Sequence, residues 1–177
     1  MTVEERAARV RLVLLDVDGV MTDGTVLIGA GGAEHVAFHI RDGAALVWAQ
    51  RAGLLVGLLS GRRSAAAAER AAQLRLPIVL LGVEGKLGAY ETLLGERGLS
   101  DEEVAFMGDD LLDLPVLARV GLSAAPADAA GEVRAAAHWT ATRPGGHGAV
   151  RELIELVLRA QGTWGPLVAR IFGGTLR

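Results

Sequence analysis

Apolar residues fall along this chain in short unbroken runs, and most runs stop against a polar or acidic group. The first, Leu12-Val13-Leu14-Leu15, stops at Asp16-Val17-Asp18-Gly19 and turns through Thr22-Asp23-Gly24. A continuous apolar run without alternation predicts a strand covered on both faces, as in a parallel sheet. The pattern returns at residues 54–59, which lead into Ser60-Gly61-Arg62-Arg63, and at Ile78–Leu81 behind the breaker Pro77. It returns again at Val104–Met107, which leads into Gly108-Asp109-Asp110, and residues 120–123 and Trp139–Thr140 predict two further short strands.

Between these runs lie helical segments. Asp42 is placed to cap a helix over 44–51 with Gly53 as its stop. An alanine-rich helix follows over 64–74, then one over 84–98 that carries Lys86 near its start. Asp113 and Pro115 open another, 129–137 forms the next, and the loop Pro144-Gly145-Gly146-His147-Gly148 feeds a helix over Ala149–Ala160. Two extended runs, 25–28 and 34–40, flank Gly29-Ala30-Gly31-Gly32 and predict a β-hairpin, which needs its own domain or another subunit to rest on. His35 and His39 alternate with Val36 and Phe38 and read as solvent-facing strand residues rather than metal ligands. The tail, 163–177, is apolar for a terminus and predicts docking, either on its own subunit or on a neighbour. Repeated strand–helix units with right-handed crossovers predict an α/β fold: a three-layer α/β/α sandwich with a mostly parallel, doubly wound sheet, in one domain over 1–177.

Composition narrows the function classes. The chain has 177 residues, 51% hydrophobic, enough for one sizeable core, and a net charge of −3 that offers no basic surface to a nucleic acid. With no cysteine, neither a disulfide framework nor a thiolate metal site can form. The charged N-terminus lacks the apolar core of a signal peptide and no run approaches a membrane span, so a soluble, cytoplasmic protein with no membrane partner is expected.

The strand ends carry the chemistry. In open α/β sheets, ligands bind outside the carboxyl ends of the strands. Asp16 and Asp18 alternate and so share one side of their strand tip, where two carboxylates call for a hard cation such as Mg²⁺. Ser60, Lys86, Asp109, Asp110 and Asp113 end or closely follow other strands, and parallel strands bring them to one sheet edge. An acidic pocket with one hydroxyl and one ammonium suits phosphoryl transfer, with an aspartate as nucleophile and a second acid to protonate the leaving alcohol. Lys86 and the cation would neutralise phosphate charge, and Ser60, expected at a helix N-terminus, would hold phosphate oxygens. Taken singly each is weak, since Asp-Gly is an ordinary turn, a lone lysine is ordinarily solvated, and acids favour helix starts.

Together this set resembles the haloacid dehalogenase superfamily of phosphatases, whose DxD, Ser/Thr, Lys and acidic motifs occur in this order. The resemblance implies Asp16 as nucleophile, Asp18 as general acid/base and metal ligand through its main-chain carbonyl, and Ser60 and Lys86 orienting the phosphoryl group. It implies Asp109 as the third metal ligand, with Asp110 and Asp113 in support, and Mg²⁺ as cofactor. DVDGVMTDG, the hairpin, Arg41-Asp42-Gly43, Ser60-Gly61-Arg62, GDDLLDLPVL and GGHGAVRE, spread over residues 10–158, are similar to the branch that hydrolyses the eight-carbon sugar-acid phosphate 3-deoxy-D-manno-octulosonate 8-phosphate for lipopolysaccharide synthesis. That branch lacks a large cap domain, and its homotetramers assemble through the hairpins so that neighbouring subunits cover the active sites. A tail ending in Gly173-Gly174 and Arg177 fits a reach toward a neighbour's site.

Related phosphatases act on nine-carbon ketoacid 9-phosphates of the sialic-acid type and tend to carry Glu after Ser-Gly. Here Arg62 stands at that position and, beside Gly61, can pair with a substrate carboxylate, which favours the eight-carbon ester. Arg41 and Arg70 are further carboxylate candidates. Residues 48–61 are as similar to the nine-carbon branch. Two readings from other classes remain: a signalling receiver domain, which carries its acidic pair and phosphorylated Asp on different strands, and a non-catalytic assembly domain.

Overall fold

The apolar runs become parallel strands in the computed structural model, which describes residues 1–174. In chain order the strands are β1 (Leu12–Leu15), β2 (Leu27–Ile28), β3 (Glu34–His35), β4 (Leu55–Ser60), β5 (Ile78–Leu81), β6 (Val104–Met107), β7 (Leu122–Ala125) and β8 (Trp139–Thr140). The helices are α1 (Val3–Ala7), α2 (Ile40–Arg51), α3 (Ala65–Leu74), α4 (Lys86–Arg97), α5 (Leu114–Leu117), α6 (Gly131–Ala136), α7 (Ala149–Ala160) and α8 (Trp164–Phe172). Six strands form one sheet in the order β5-β4-β1-β6-β7-β8, all parallel.

Strand β1 is central, and its side chains show why no alternation appears in the sequence. Val13 and Leu15 enter the core shared with α1, α2, α3, α7 and α8, while Leu12 and Leu14 enter the core shared with α4, α5 and α6. Both faces are dry, and full burial of each such side chain contributes roughly 1.5–3 kcal/mol. The chain winds outward from β1 to β4 and β5, then returns to build β6, β7 and β8 on the other side. The winding reverses beside β1, and the crevice at that reversal is where a ligand fits an open α/β sheet.

Several local expectations shift. The hairpin ladder is only two residues long on each arm, Leu27 opposite His35 and Ile28 opposite Glu34, with Leu27 and Ile28 exposed. Helix α2 begins at Ile40, earlier than expected, so Asp42 lies within its first turn and does not cap it. The fully buried Asp42 carboxylate caps α7 instead, accepting from the backbone N–H of Gly148 at 3.1 Å and of Arg151 at 2.8 Å. Strand β7 starts two residues later than expected, because the N–H of Gly121 is taken by the Asp101 carbonyl at 2.6 Å. His35 is exposed, whereas His39 is half-buried 3.7 Å from Asp42. In the tail, α8 folds onto its own chain: Leu167 is buried, and the Trp164 ring lies 6.2 Å from Trp48 with the Arg151 guanidinium over both. Phe172 remains exposed, and Arg177 lies outside the described residues. No helix among the described residues is long and apolar enough to cross a membrane.

Candidate active site

Asp16 extends β1 by one step, its N–H donating to the Met107 carbonyl on β6 at 3.0 Å. That register brings Asp16 close to Asp109, which follows Met107 by two residues. After Asp16 the chain closes a tight turn in which the N–H groups of Val20, Met21 and Thr22 all aim at the Val17 carbonyl. Gly19 holds that turn at φ +81°, and a Cβ there would lie 2.0 Å from Asp109 Oδ2. Only glycine lets this loop close over the Asp109 carboxylate. Ser60, the last residue of β4, flanks β1 on its other side, and Lys86 opens α4 just beyond β5.

These groups line a cavity of about 670 Å³ with Gly61, Arg62 and Asp113. Lys86 Nζ lies 2.9 Å from Asp16 Oδ1 and 2.6 Å from Asp113 Oδ1, with its side chain only 9% exposed. Asp113 also accepts from the N–H of Asp109 at 3.0 Å and of Asp110 at 3.3 Å, which ties the β6 tip to the lysine. Carboxylate oxygens of Asp16, Asp109 and Asp113 lie within 4.8 Å of one another. Burial pushes Asp16 up to about 6, the negative charge of Asp113 adds to this, and Lys86 opposes it. Burial and the charges of Asp16 and Asp113 push Asp109 up to about 8. Burial alone would lower Lys86, but Asp16 and Asp113 outweigh it and hold the ammonium above the usual lysine range.

One lysine does not balance this cluster. Asp109 Oδ1 is buried without a hydrogen-bond partner, and the buried Asp16 Oδ1 is met by an ammonium that Lys86 shares with Asp113. A buried carboxylate oxygen without a partner carries a desolvation cost, and hard oxygen donors at this spacing suit a small divalent cation such as Mg²⁺. The residues present fit such an ion.

Asp18 lines the same cavity but is not among those three clustered carboxylates. Both of its carboxylate oxygens are held by Arg62, Nη2 to Oδ1 at 2.5 Å and Nε to Oδ2 at 2.8 Å. Arg62 Nη1 bonds Glu34 of β3 at 2.6 Å, and the other Glu34 oxygen accepts from Ser64 Oγ at 2.9 Å. Pairing with Asp18 and Glu34 pushes the Arg62 guanidinium up, and Arg62 and Ser64 hold Glu34 below the usual carboxylate range.

Most residues singled out in the sequence converge here, with differences in detail. Ser60 is buried and accepts from the Arg62 N–H at 3.3 Å, but it does not stand at a helix N-terminus: α3 begins at Ala65 and Ser64 is its cap. Asp110 lines the cavity, yet its carboxylate accepts from the Leu111 N–H at 2.8 Å, the start of the turn Leu111–Asp113. Arg41 and Arg70 lie outside this cavity. Arg41 opens α2 and lines a separate hollow with Arg143, His147 and Arg151, while Arg70 on α3 stacks 6.0 Å from the Phe38 ring. Glu34 was missed, because a glutamate in an exposed hairpin carries no local signal. The contact of the 144–148 loop was also missed: the Gly146 N–H donates to the Val20 carbonyl at 3.0 Å, and a Cβ on Gly145 would lie 1.8 Å from the Gly19 carbonyl oxygen.

Residues 84–153 match the model of the haloacid dehalogenase-like hydrolases. The chain is 43% identical over 157 residues to the 3-deoxy-D-manno-octulosonate 8-phosphate phosphatase of Yersinia pestis, covering 89% of this chain and 84% of that one. Its structure is similar to that of the phosphatase of the same name from Moraxella catarrhalis, solved with a magnesium ion, a phosphate ion and a KDO molecule, at TM-score 0.93 and 31% identity over 96% of this chain and 97% of that one. It is also similar to the cobalt-bound deoxy-D-mannose-octulosonate 8-phosphate phosphatase from Haemophilus influenzae, at TM-score 0.85 and 38% identity over 89% and 92% of the two chains.

Proposed function

This chain belongs to the 3-deoxy-D-manno-octulosonate 8-phosphate phosphatases of the haloacid dehalogenase-like hydrolases, and from that premise we propose that it hydrolyses this sugar-acid phosphate to the free sugar acid and phosphate. The observation that carries the reading is the convergence of Asp16, Asp109, Asp113 and Lys86 beside Asp18 and Ser60 at one sheet edge.

Asp16 is the nucleophile. Its carboxylate oxygen attacks phosphorus, the bond to the sugar oxygen breaks, and an aspartyl-phosphate forms. Asp18 gives its proton to the departing sugar oxygen, then takes one from the water that hydrolyses the aspartyl-phosphate, which returns Asp16 to its starting state. Lys86, held between Asp16 and Asp113, presents positive charge to the phosphoryl oxygens, and Ser60 with the backbone N–H groups of the 60–62 turn binds them. Asp16 and Asp109, with the main-chain carbonyl of Asp18, would hold Mg²⁺, and Asp113 and Asp110 support that edge. When bound, Mg²⁺ supplies positive charge that lets an anionic nucleophile approach an anionic phosphate. Arg62 is the candidate for the substrate carboxylate, since its planar fork fits a carboxylate bidentately.

The enzyme acts as one phosphatase domain in the cytoplasm and assembles as a homotetramer; exposed Leu27, Ile28 and Ile40 around the hairpin support the assembly. The test is phosphate release, with Mg²⁺ and with EDTA, from the eight-carbon 8-phosphate and from a nine-carbon ketoacid 9-phosphate. A kcat/KM preference for the former that EDTA abolishes is the expected result. Preference for the nine-carbon ester would move the substrate to the sialic-acid type, and release from neither would overturn the reading.

A further inference from the structure

The general acid proposed above cannot act in the arrangement Arg62 imposes on it. Arg62 presents two hydrogen-bonding edges to a carboxylate, and both are in use: Nε with Nη2 grips Asp18, and Nη1 grips Glu34. With both Asp18 oxygens accepting from Arg62, neither carries a proton for the oxygen of a departing sugar. A substrate carboxylate needs the same Nε/Nη2 edge that Asp18 occupies, because Nη1 is already committed to the hairpin. One guanidinium edge therefore serves two carboxylates in turn. Arg62 and Asp18 are 34% and 26% exposed at the cavity wall, so an incoming ligand can reach the pair. Glu34 is anchored in turn by Ser64, the residue that caps α3, so the seat under Arg62 stays fixed when its other edge changes partner.

We propose that Arg62, seated by Glu34, is a carboxylate-operated latch on Asp18: a substrate carboxylate takes the Nε/Nη2 edge, and the freed Asp18 takes up a proton from water and delivers it to the leaving oxygen. The inference rests on the catalytic reading of Asp16 and Asp18 and deepens it. It makes the selectivity for sugar-acid phosphates act on the chemical step as well as on binding. A phosphate ester without a carboxylate fills the phosphate site, leaves the latch shut and turns over slowly. Glu34 is a positioning residue: it touches no substrate, and it sets where the released guanidinium stays.

The test compares Mg²⁺-loaded wild type with Arg62→Ala and Glu34→Gln on two esters, the octulosonate 8-phosphate and glucose 6-phosphate, which has no carboxylate. Arg62→Ala is expected to lose kcat/KM on the first ester while gaining about tenfold in kcat on the second, part of what a freed general acid supplies. Glu34→Gln shifts both in the same directions by less. Because these variants also disturb the hairpin, wild type is assayed on glucose 6-phosphate with added pyruvate, whose carboxylate can occupy Arg62 in trans. Pyruvate is expected to raise kcat in wild type and to leave Arg62→Ala unchanged. A residue that only binds substrate would leave kcat on glucose 6-phosphate unmoved in Arg62→Ala, and a structural residue would lower it; either result, or no pyruvate effect in wild type, overturns the latch. Failure of wild type to prefer the carboxylate-bearing ester overturns the substrate reading itself, and the latch with it.

Discussion

Lys86→Met takes the ammonium away from Asp16, Asp109 and Asp113 and leaves a side chain of similar length, so its effect is electrostatic rather than a cavity. In protein freed of divalent ions, burial already holds Asp16 at about 6 rather than 3.8. Keeping that carboxylate ionised in the fold costs about 3 kcal/mol once the pH passes its folded value, at roughly 1.4 kcal/mol per unit. Lys86 Nζ at 2.9 Å holds the value down to that level. The attraction is of order 6 kcal/mol at an effective dielectric of about 20, so without it Asp16 stays protonated beyond about pH 8. A carboxyl whose folded pKa is raised costs nothing below its unfolded value and progressively more as the pH climbs toward the folded one. Near about pH 5 Asp16 is protonated in both proteins, while near about pH 8 it is ionised only in wild type. The destabilisation caused by Lys86→Met should therefore grow by about 3 kcal/mol between those two conditions. Loss of the 2.6 Å contact with Asp113 is a separate penalty. Urea unfolding in EDTA at both pH values, with unchanged m, measures the difference. A destabilisation that is the same at both would refute the electrostatic account of Lys86.

Two further substitutions probe the site and its scaffold. Asp16→Asn keeps the shape of the side chain and removes the proposed nucleophile, so phosphate release should vanish while the thermal unfolding temperature stays within a few degrees of wild type or rises; activity near wild type would remove Asp16 from that role. Asp42→Ala strips the buried acceptor from the N–H groups of Gly148 and Arg151 and should cost about 2–4 kcal/mol in denaturant unfolding, with Asp42→Asn losing less because one carbonyl oxygen remains.

Much of the site could be read from residue order because it lies where buried strands end. An unbroken apolar run that stops at an acid locates that acid at the sheet edge, and parallel strands bring such edges together without any long-range detail. That logic brings Asp16, Asp18, Ser60 and Asp109 to one cavity, and Lys86 with them from the start of the next helix. It fails for groups that reach the site by side-chain length or from irregular backbone. Arg41 and Arg70 carry the right charge, but the helices that hold them point them to other surfaces. Asp42 has the form of an N-cap for its own helix and caps a different one, because α2 and α7 pack side by side and its carboxylate meets the open end of α7.

What the sequence determined by itself is the layered α/β/α sandwich, the parallel sheet and the acidic edge, since these follow from local periodicity and from where apolar runs stop. Only the tertiary structure decided how the charges pair. Lys86 lies between Asp16 and Asp113, Arg62 is shared by Asp18 and Glu34, and Gly19 makes room for Asp109. Coulombic and hydrogen-bond energies depend on distances of a few ångströms between residues far apart in the chain, and no local pattern carries those distances.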